Sequence, residues 1–179
     1  MEAPVKERTR PTLPRTTRAW CLFEAGGGRY AIGLEMVAEV VELERLVRLP
    51  SCQPRVLGLC ALRRDVIPVF RIGPEGEPPE GPDGERKHVL ILRTSRGVWA
   101  IEIHAEGTVV AEEPLDATKR PGDVDDAVVV LGTVPRGEAV YTAIDPEATW
   151  WRFREAVDDW YAHYWDRGEP EAAHTARAV

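Results

Sequence analysis

Four histidines, three cysteines and thirty aspartates and glutamates are the groups in this 179-residue chain that could hold a metal or move a proton. Their spacing assembles neither chemistry. Zinc wants ligands in close pairs, whereas His88, His104, His163 and His174 are dispersed, and a sheet could at most bring His88 and His104 toward Cys60. Gly26-Gly27-Gly28 could cradle a phosphate only with a following Lys-Ser/Thr step and a helix, but Arg29 and Tyr30 open an apolar strand instead. No serine stands in a nucleophile-elbow context. Among so many carboxylates, chance surface pairs are expected, and no acid–base dyad is read from them. Cys21, Cys52 and Cys60 are too few and too uneven for a disulfide framework, while Cys21 and Cys60 sit in apolar runs that suit buried, reduced thiols. The expectation is a protein that is not an enzyme and carries neither cofactor nor metal.

The elements that must position whatever this chain does present are mostly short strands. The run 56–72 has two apolar stretches around Arg63-Arg64-Asp65, the pattern of a hairpin whose strands are buried and whose turn meets water. Pro68 cannot donate a ladder hydrogen bond, so its strand is expected at an edge or in a bulge. Stretches 20–23 and 29–34 flank the triple glycine, 88–93 and 98–103 flank Thr94-Ser95-Arg96-Gly97, and 128–134 and 139–144 flank Pro135-Arg136-Gly137. In 98–103, Trp99, Ile101 and Ile103 share one face. Four hairpins predict a mainly antiparallel β protein, a barrel rather than an open sheet. The segment 73–86, with Pro74, Pro78, Pro79, Pro82 and four glycines, reads as a linker between a lobe over 19–72 and a lobe over 87–145. Segment 114–126 is a second polar excursion.

Two helices are expected. Leu34, Val37 and Val41 lie at one-face spacing over 34–41. The other runs over 145–167, with Asp145 as N-cap, Pro146 at the first position and Gly168 to end it. Within it Trp150, Phe153, Val157, Trp160 and Tyr164 form a stripe that completes the core of a barrel. The alternative reading makes Trp151, Tyr161 and Trp165, which fall off that stripe, an extra partner surface; two heptads are too few for an independent coiled coil, so a helix-mediated dimer is not favoured.

A 44% hydrophobic fraction supports a core and 30% charged residues a soluble chain, with no apolar run of about 20 residues to span a membrane. The charged, proline-bearing start does not resemble a signal peptide, so a cytoplasmic location is expected. The net charge of −7 divides into +3 over residues 1–18 and −10 beyond, which disfavours nucleic-acid binding by the folded part. Residues 1–18 read as a disordered basic arm and 168–179 as a second disordered tail.

Certain landmarks then fall in an order that resembles the CheW-like family of scaffold proteins. Tyr30-Ala31-Ile32 precedes Met36-Val37-Ala38-Glu39-Val40; then come Leu49-Pro50, Pro54-x-Val56-x-Gly58, Leu62-Arg63 and Val66-Ile67-Pro68-Val69. Ile103-His104 stands near the family's usual Val-Asp, and Leu131-Gly132 with Ala143-Ile144-Asp145 resembles its closing strands. The resemblance covers most of 20–146. It implies two small five-stranded β-barrels side by side, and an adaptor coupling the cytoplasmic tip of methyl-accepting chemoreceptors to the regulatory domain of a CheA-type histidine kinase, without membrane insertion.

The resemblance also implies a receptor-binding groove at Glu39, Arg63, Gly58, Val37 and Arg64, with Glu39 and Arg63 as a charged pair. An arginine fork suits that work because it can grip a carboxylate bidentately. The chain departs from the family at the hairpin, where Ala61-Leu62-Arg63-Arg64 replaces Asn-x-Arg-Gly, so Arg64 must adopt a different turn or a backbone conformation that glycine takes more easily. Arg71 and His104 stand where aspartates are common, which makes the contact surface more basic. A diverged adaptor of a chemosensory pathway other than chemotaxis is the alternative within the class. A β-barrel enzyme or ligand-binding protein is the alternative outside it, and would need converging polar groups that the sequence does not offer.

Overall fold

A computed structural model describes residues 17–49, 53–73, 87–104, 108–121 and 125–166. In chain order the described strands are β1 (Thr17–Ala25), β2 (Gly28–Gly33), β3 (Val37–Leu43), β4 (Val56–Leu62), β5 (Asp65–Phe70), β6 (Lys87–Thr94), β7 (Gly97–Ile103), β8 (Val109–Pro114), β9 (Val130–Arg136) and β10 (Ala139–Ile144), and helix α1 (Pro146–Asp166) follows. They form two five-stranded sheets, ordered β8-β1-β2-β10-β9 and β3-β6-β7-β5-β4. The four expected hairpins are all present as antiparallel pairs.

The sheets do not follow the expected division into 19–72 and 87–145. Hairpin β1–β2 joins β10 in parallel, and hairpin β6–β7 joins β5 in parallel. The lone strands β3 and β8 pair with β6 and β1, each from the other half of the chain. Each sheet is therefore a hairpin from one half completed by three strands from the other. The arm expected over 1–18 also ends earlier, because Thr17 and Arg18 pair with Pro114 and Glu113 in the β1–β8 ladder. Segments 74–86 and 167–179 lie outside the described residues.

This exchange explains the apolar runs. Trp20 and Leu22 face a core inside the first sheet, while Cys21, Phe23 and Ala25 on the opposite face of β1 enter a core between the sheets. On β6, Val89 and Ile91 face the interior of the second sheet, and Leu90 and Leu92 face the space between. Strands buried on both faces lose the apolar–polar alternation of a half-exposed sheet. Trp99, Ile101 and Ile103 do share one face, in the between-sheet core.

Each sheet curls until its outer strands meet at one two-bond bridge. In the second, Val47, just past β3, donates to the Leu59 carbonyl of β4 and accepts from its N–H, both at 2.8 Å. In the first, Asp116 and Thr133 do the same at 2.8 and 3.0 Å. A glycine precedes each bridge, Gly58 with φ +149° and Gly132 with φ +155°, and a Cβ on either would collide with the carbonyl oxygen of Val47 or Asp116.

Two local expectations change. The helix read over 34–41 is one 3-10 turn, Leu34–Met36, after which the chain extends into β3. Val37, Val40 and Val41 favour an extended chain, and pairing with β6 decides between the two periodicities. Pro68 lies in β5, an interior strand rather than an edge, and the bulge in its ladder with β4 falls one pair further on, between Val56 and Gly58. The proline is tolerated because Leu59 opposite it directs both backbone groups to Val47, and because the parallel pairing with β7 covers Val69 and Phe70.

The C-terminal helix starts as its sequence dictates. Asp145 Oδ1 accepts from the N–H groups of Glu147 and Ala148 at 2.9 and 3.1 Å. Phe153 stacks on Phe70 at 4.7 Å between ring centroids, and Trp150 and Val157 pack on the same between-sheet core. Further along, Trp160 emerges to 36% exposure.

Candidate partner-binding site

The second sheet carries the residues of the expected groove. On β3, Glu39 lies opposite Ile91, whose side chain is in that sheet's own core, so Glu39 stands at the rim of its interior. Arg63 occupies the turn between β4 and β5. Its Nη2 lies 3.3 Å from Glu39 Oε1, with the arginine side chain 72% exposed and the glutamate 32%. Since β3 and β4 are the outer strands, this ion pair spans the seam whose other end is bridged by Val47 and Leu59. At such exposure the pair contributes about 0–1 kcal/mol to folding.

The turn strain falls one residue earlier than the departure at Arg64 implies. Arg63 has φ +58°, the one non-glycine with positive φ among the described residues, while Arg64, the second residue of the same turn, keeps negative φ. Arg63→Gly is therefore expected to leave stability unchanged or raise it by up to about 1 kcal/mol, because the left-handed cost disappears. A chemical-unfolding midpoint measures this; a loss above about 1 kcal/mol would show that the guanidinium holds the seam.

The remaining groove residues divide. Val37 is half-buried opposite Leu92 and packs on the between-sheet core, because a register shift between Val37 and Glu39 turns them to different faces. Gly58 is buried against the Val47 backbone and makes the seam rather than a surface. Arg64 is exposed beside Arg63. Arg71 adds no exposed base: its Nε lies 3.1 Å from Glu102, which also holds Lys87 at 2.5 Å, and both cation side chains are 16% exposed. His104 is exposed beyond β7, and its N–H donates to the Glu24 carbonyl at 2.8 Å.

Sequence reasoning missed two outward valines at the margins of the between-sheet core. Val40 lies opposite Leu90 and Val110 opposite Cys21, both partners belonging to the between-sheet core. They mark the open margins of that core, 45% and 60% exposed. The doubled valines Val40-Val41 and Val109-Val110 are the signal in the sequence: Val40 is turned outward beside a half-buried Val41, and Val109 and Val110 are both exposed.

A buried clamp joins the sheets at one end. Arg55, just before β4, has its Nη1 2.5 Å from Asp125 Oδ2, with the two side chains 6% and 2% exposed. Nη1 also donates to the Gly73 carbonyl at 3.0 Å, and Asp125 accepts from the N–H groups of Gly73 and Ala127 at 2.6 and 2.8 Å. Arg55 Nη2 reaches the exposed Asp126 at 3.2 Å, and Arg152 of α1 donates to the Asp126 carbonyl. Burial foremost, and then the Asp125 carboxylate, push the neighbouring Tyr30 hydroxyl up to about 12, so it stays protonated at neutral pH. Burial also raises the Cys21 and Cys60 thiols, away from the thiolate form. Cys60 faces the core of the second sheet, and among the described residues no three His, Cys, Asp or Glu side chains gather to hold a metal.

Of the extra surface, Trp151 is 41% exposed, with the guanidinium groups of Arg96 and Arg154 4.9 and 5.7 Å from its ring centroid. Tyr161 is half-buried, and the Trp165 side chain lies outside the described residues.

Comparison with known proteins extends this geometry. No curated protein matches the chain. Among solved structures, the scaffolding protein TtCheW from Thermoanaerobacter tengcongensis superposes with a TM-score of 0.57 over 80% of this chain and 93% of its own, at 18% identity. That identity speaks for the fold. A family model, the CheW-like domain, matches residues 20–150, from within β1 to the first turns of α1. Spanning both curled sheets and the seam with its ion pair, that match shows that the chain belongs to the CheW-like family.

Proposed function

We propose that this protein is a non-catalytic adaptor of chemosensory signalling in the cytoplasm, holding the tip of a methyl-accepting chemoreceptor against the regulatory domain of a CheA-type histidine kinase. The observation that carries the reading is the exposed Glu39–Arg63 pair across the seam of the second sheet. Glu39 engages one nitrogen of Arg63, and a guanidinium has further donors to offer a partner's carboxylate. The half-buried glutamate fixes the direction from which that fork is presented. Val40, the next residue of β3, leaves apolar area exposed on the between-sheet face of that strand. Membership of a scaffold family supports the reading, and no helix among the described residues is long and apolar enough to cross a membrane.

Arg64 refines the partner. Exposed beside the pair where the family has glycine, it favours a receptor tip with an added carboxylate at that point. Co-sedimentation with a receptor cytoplasmic fragment and a kinase regulatory domain is expected to bring all three down together. Glu39→Arg should weaken receptor binding roughly tenfold, about 1.4 kcal/mol, through like-charge contact with Arg63, and leave kinase binding intact. Failure of the unmodified protein to retain either partner, or an unchanged receptor affinity in Glu39→Arg, would overturn the assignment.

A further inference from the structure

The exposed face of α1 lies beyond the part of the chain that matches the family and has its own order. Trp151, Glu155, Asp158 and Ala162 recur at 4-3-4 spacing on the side opposite Phe153 and Val157, and all four are exposed. Charge is segregated along it. Arg152 and Arg154 come first, and Arg96 from the β6–β7 turn joins them over Trp151; Glu155, Asp158 and Asp159 follow. Within the helix, Arg154 and Asp158 approach only to 3.7 Å, at 58% and 70% exposure, and arginine before the acid is the weaker of the two i,i+4 orders.

We propose that α1 is a homodimerisation surface, pairing antiparallel with α1 of a second copy about a two-fold axis level with Ala156. That register sets Arg154 against Asp158 of the second copy and Trp151 against Tyr161 of the second copy, and symmetry makes each contact twice. An acidic peptide would suit the arginines but meet Glu155, Asp158 and Asp159, and a basic one would meet the arginines. A reversed copy of the same stripe sets Arg154 against Asp158 at both symmetric contacts, which offsets the approach of the two Glu155 side chains near the axis. The two helices' dipoles also oppose each other in this arrangement. With a few turns of helix as contact, the dimer belongs to the small, weak class of interfaces.

Sedimentation equilibrium of the full chain from about 10 µM to about 1 mM should show the mass rising from monomer toward dimer, less so at high salt. Arg154→Asp places like charges at both symmetric contacts and should weaken the dimer at least about tenfold. Adding Asp158→Arg restores opposite charges and should restore the dimer. Trp151→Ala should weaken it by roughly tenfold as well, with the unfolding midpoint unchanged because the ring lies outside all three cores. A monomer throughout, or a dimer indifferent to the charge reversal, would overturn the proposal.

Discussion

Asp125→Ala is expected to destabilise the protein by about 3–5 kcal/mol, the loss that follows when one partner of a buried ion pair is removed and the other charge is left without compensation. At 6% exposure the Arg55 guanidinium has little water to turn to. The N–H groups of Gly73 and Ala127 lose their acceptor in the same step. Asp126 stays in place at 3.2 Å, which moves the expectation toward the lower end of the range. For a chain of this size the thermal midpoint should fall by roughly 6–12 °C. Tryptophan fluorescence against urea reads it directly, as a midpoint shift with an unchanged slope if the native fold is kept. Arg55→Met added to Asp125→Ala should recover part of the loss, since the stranded charge is gone while the two backbone donors remain unpaired. A loss under about 1 kcal/mol in Asp125→Ala would mean that the pair is an ornament on two sheets already fixed by their shared core.

This clamp is also where sequence reading stops. Arg55 and Asp125 are 70 residues apart, and nothing near either marks it as buried. The hairpins were legible because a turn announces itself within a few residues: glycines at 26–28, a charged pair at 63–64, Gly97 and Gly137. The lone strands were not. β3 has no hairpin partner, and its valines satisfy a helical period as well as an extended one; β8 is half polar and pairs with a strand some 90 residues earlier. Those two strands decide which half of the chain completes which sheet, so the division at the linker failed for the same reason. The site divides along the same line. The resemblance named Glu39 and Arg63 as a charged pair, and they do meet at 3.3 Å, because a resemblance carries long-range information that periodicity lacks. The outward valines Val40 and Val110, whose exposure depends on sheet order, were missed.

Gly58→Ala should destabilise by about 3–4 kcal/mol, and Gly97→Ala by only about 1–2 kcal/mol, although both glycines have positive φ. The difference isolates the seam. At φ +136°, a Cβ on Gly97 meets nothing within 4 Å, so its replacement costs torsional strain alone. At φ +149°, a Cβ on Gly58 is driven into the carbonyl of Val47, which is backbone and cannot swing aside. To make room, the chain must give up the paired hydrogen bonds between Val47 and Leu59, net about 0.5–1.5 kcal/mol each. Gly132→Ala should match Gly58→Ala, because Asp116 and Thr133 repeat the device in the other sheet. Only Gly58→Ala, however, opens the seam that Glu39 and Arg63 span, so it alone should weaken receptor binding. Equal losses of stability with unequal losses of affinity would separate the glycine's part in folding from its part in presenting the charged pair. Equal losses of both would return Gly58 to the role of an ordinary bulge residue.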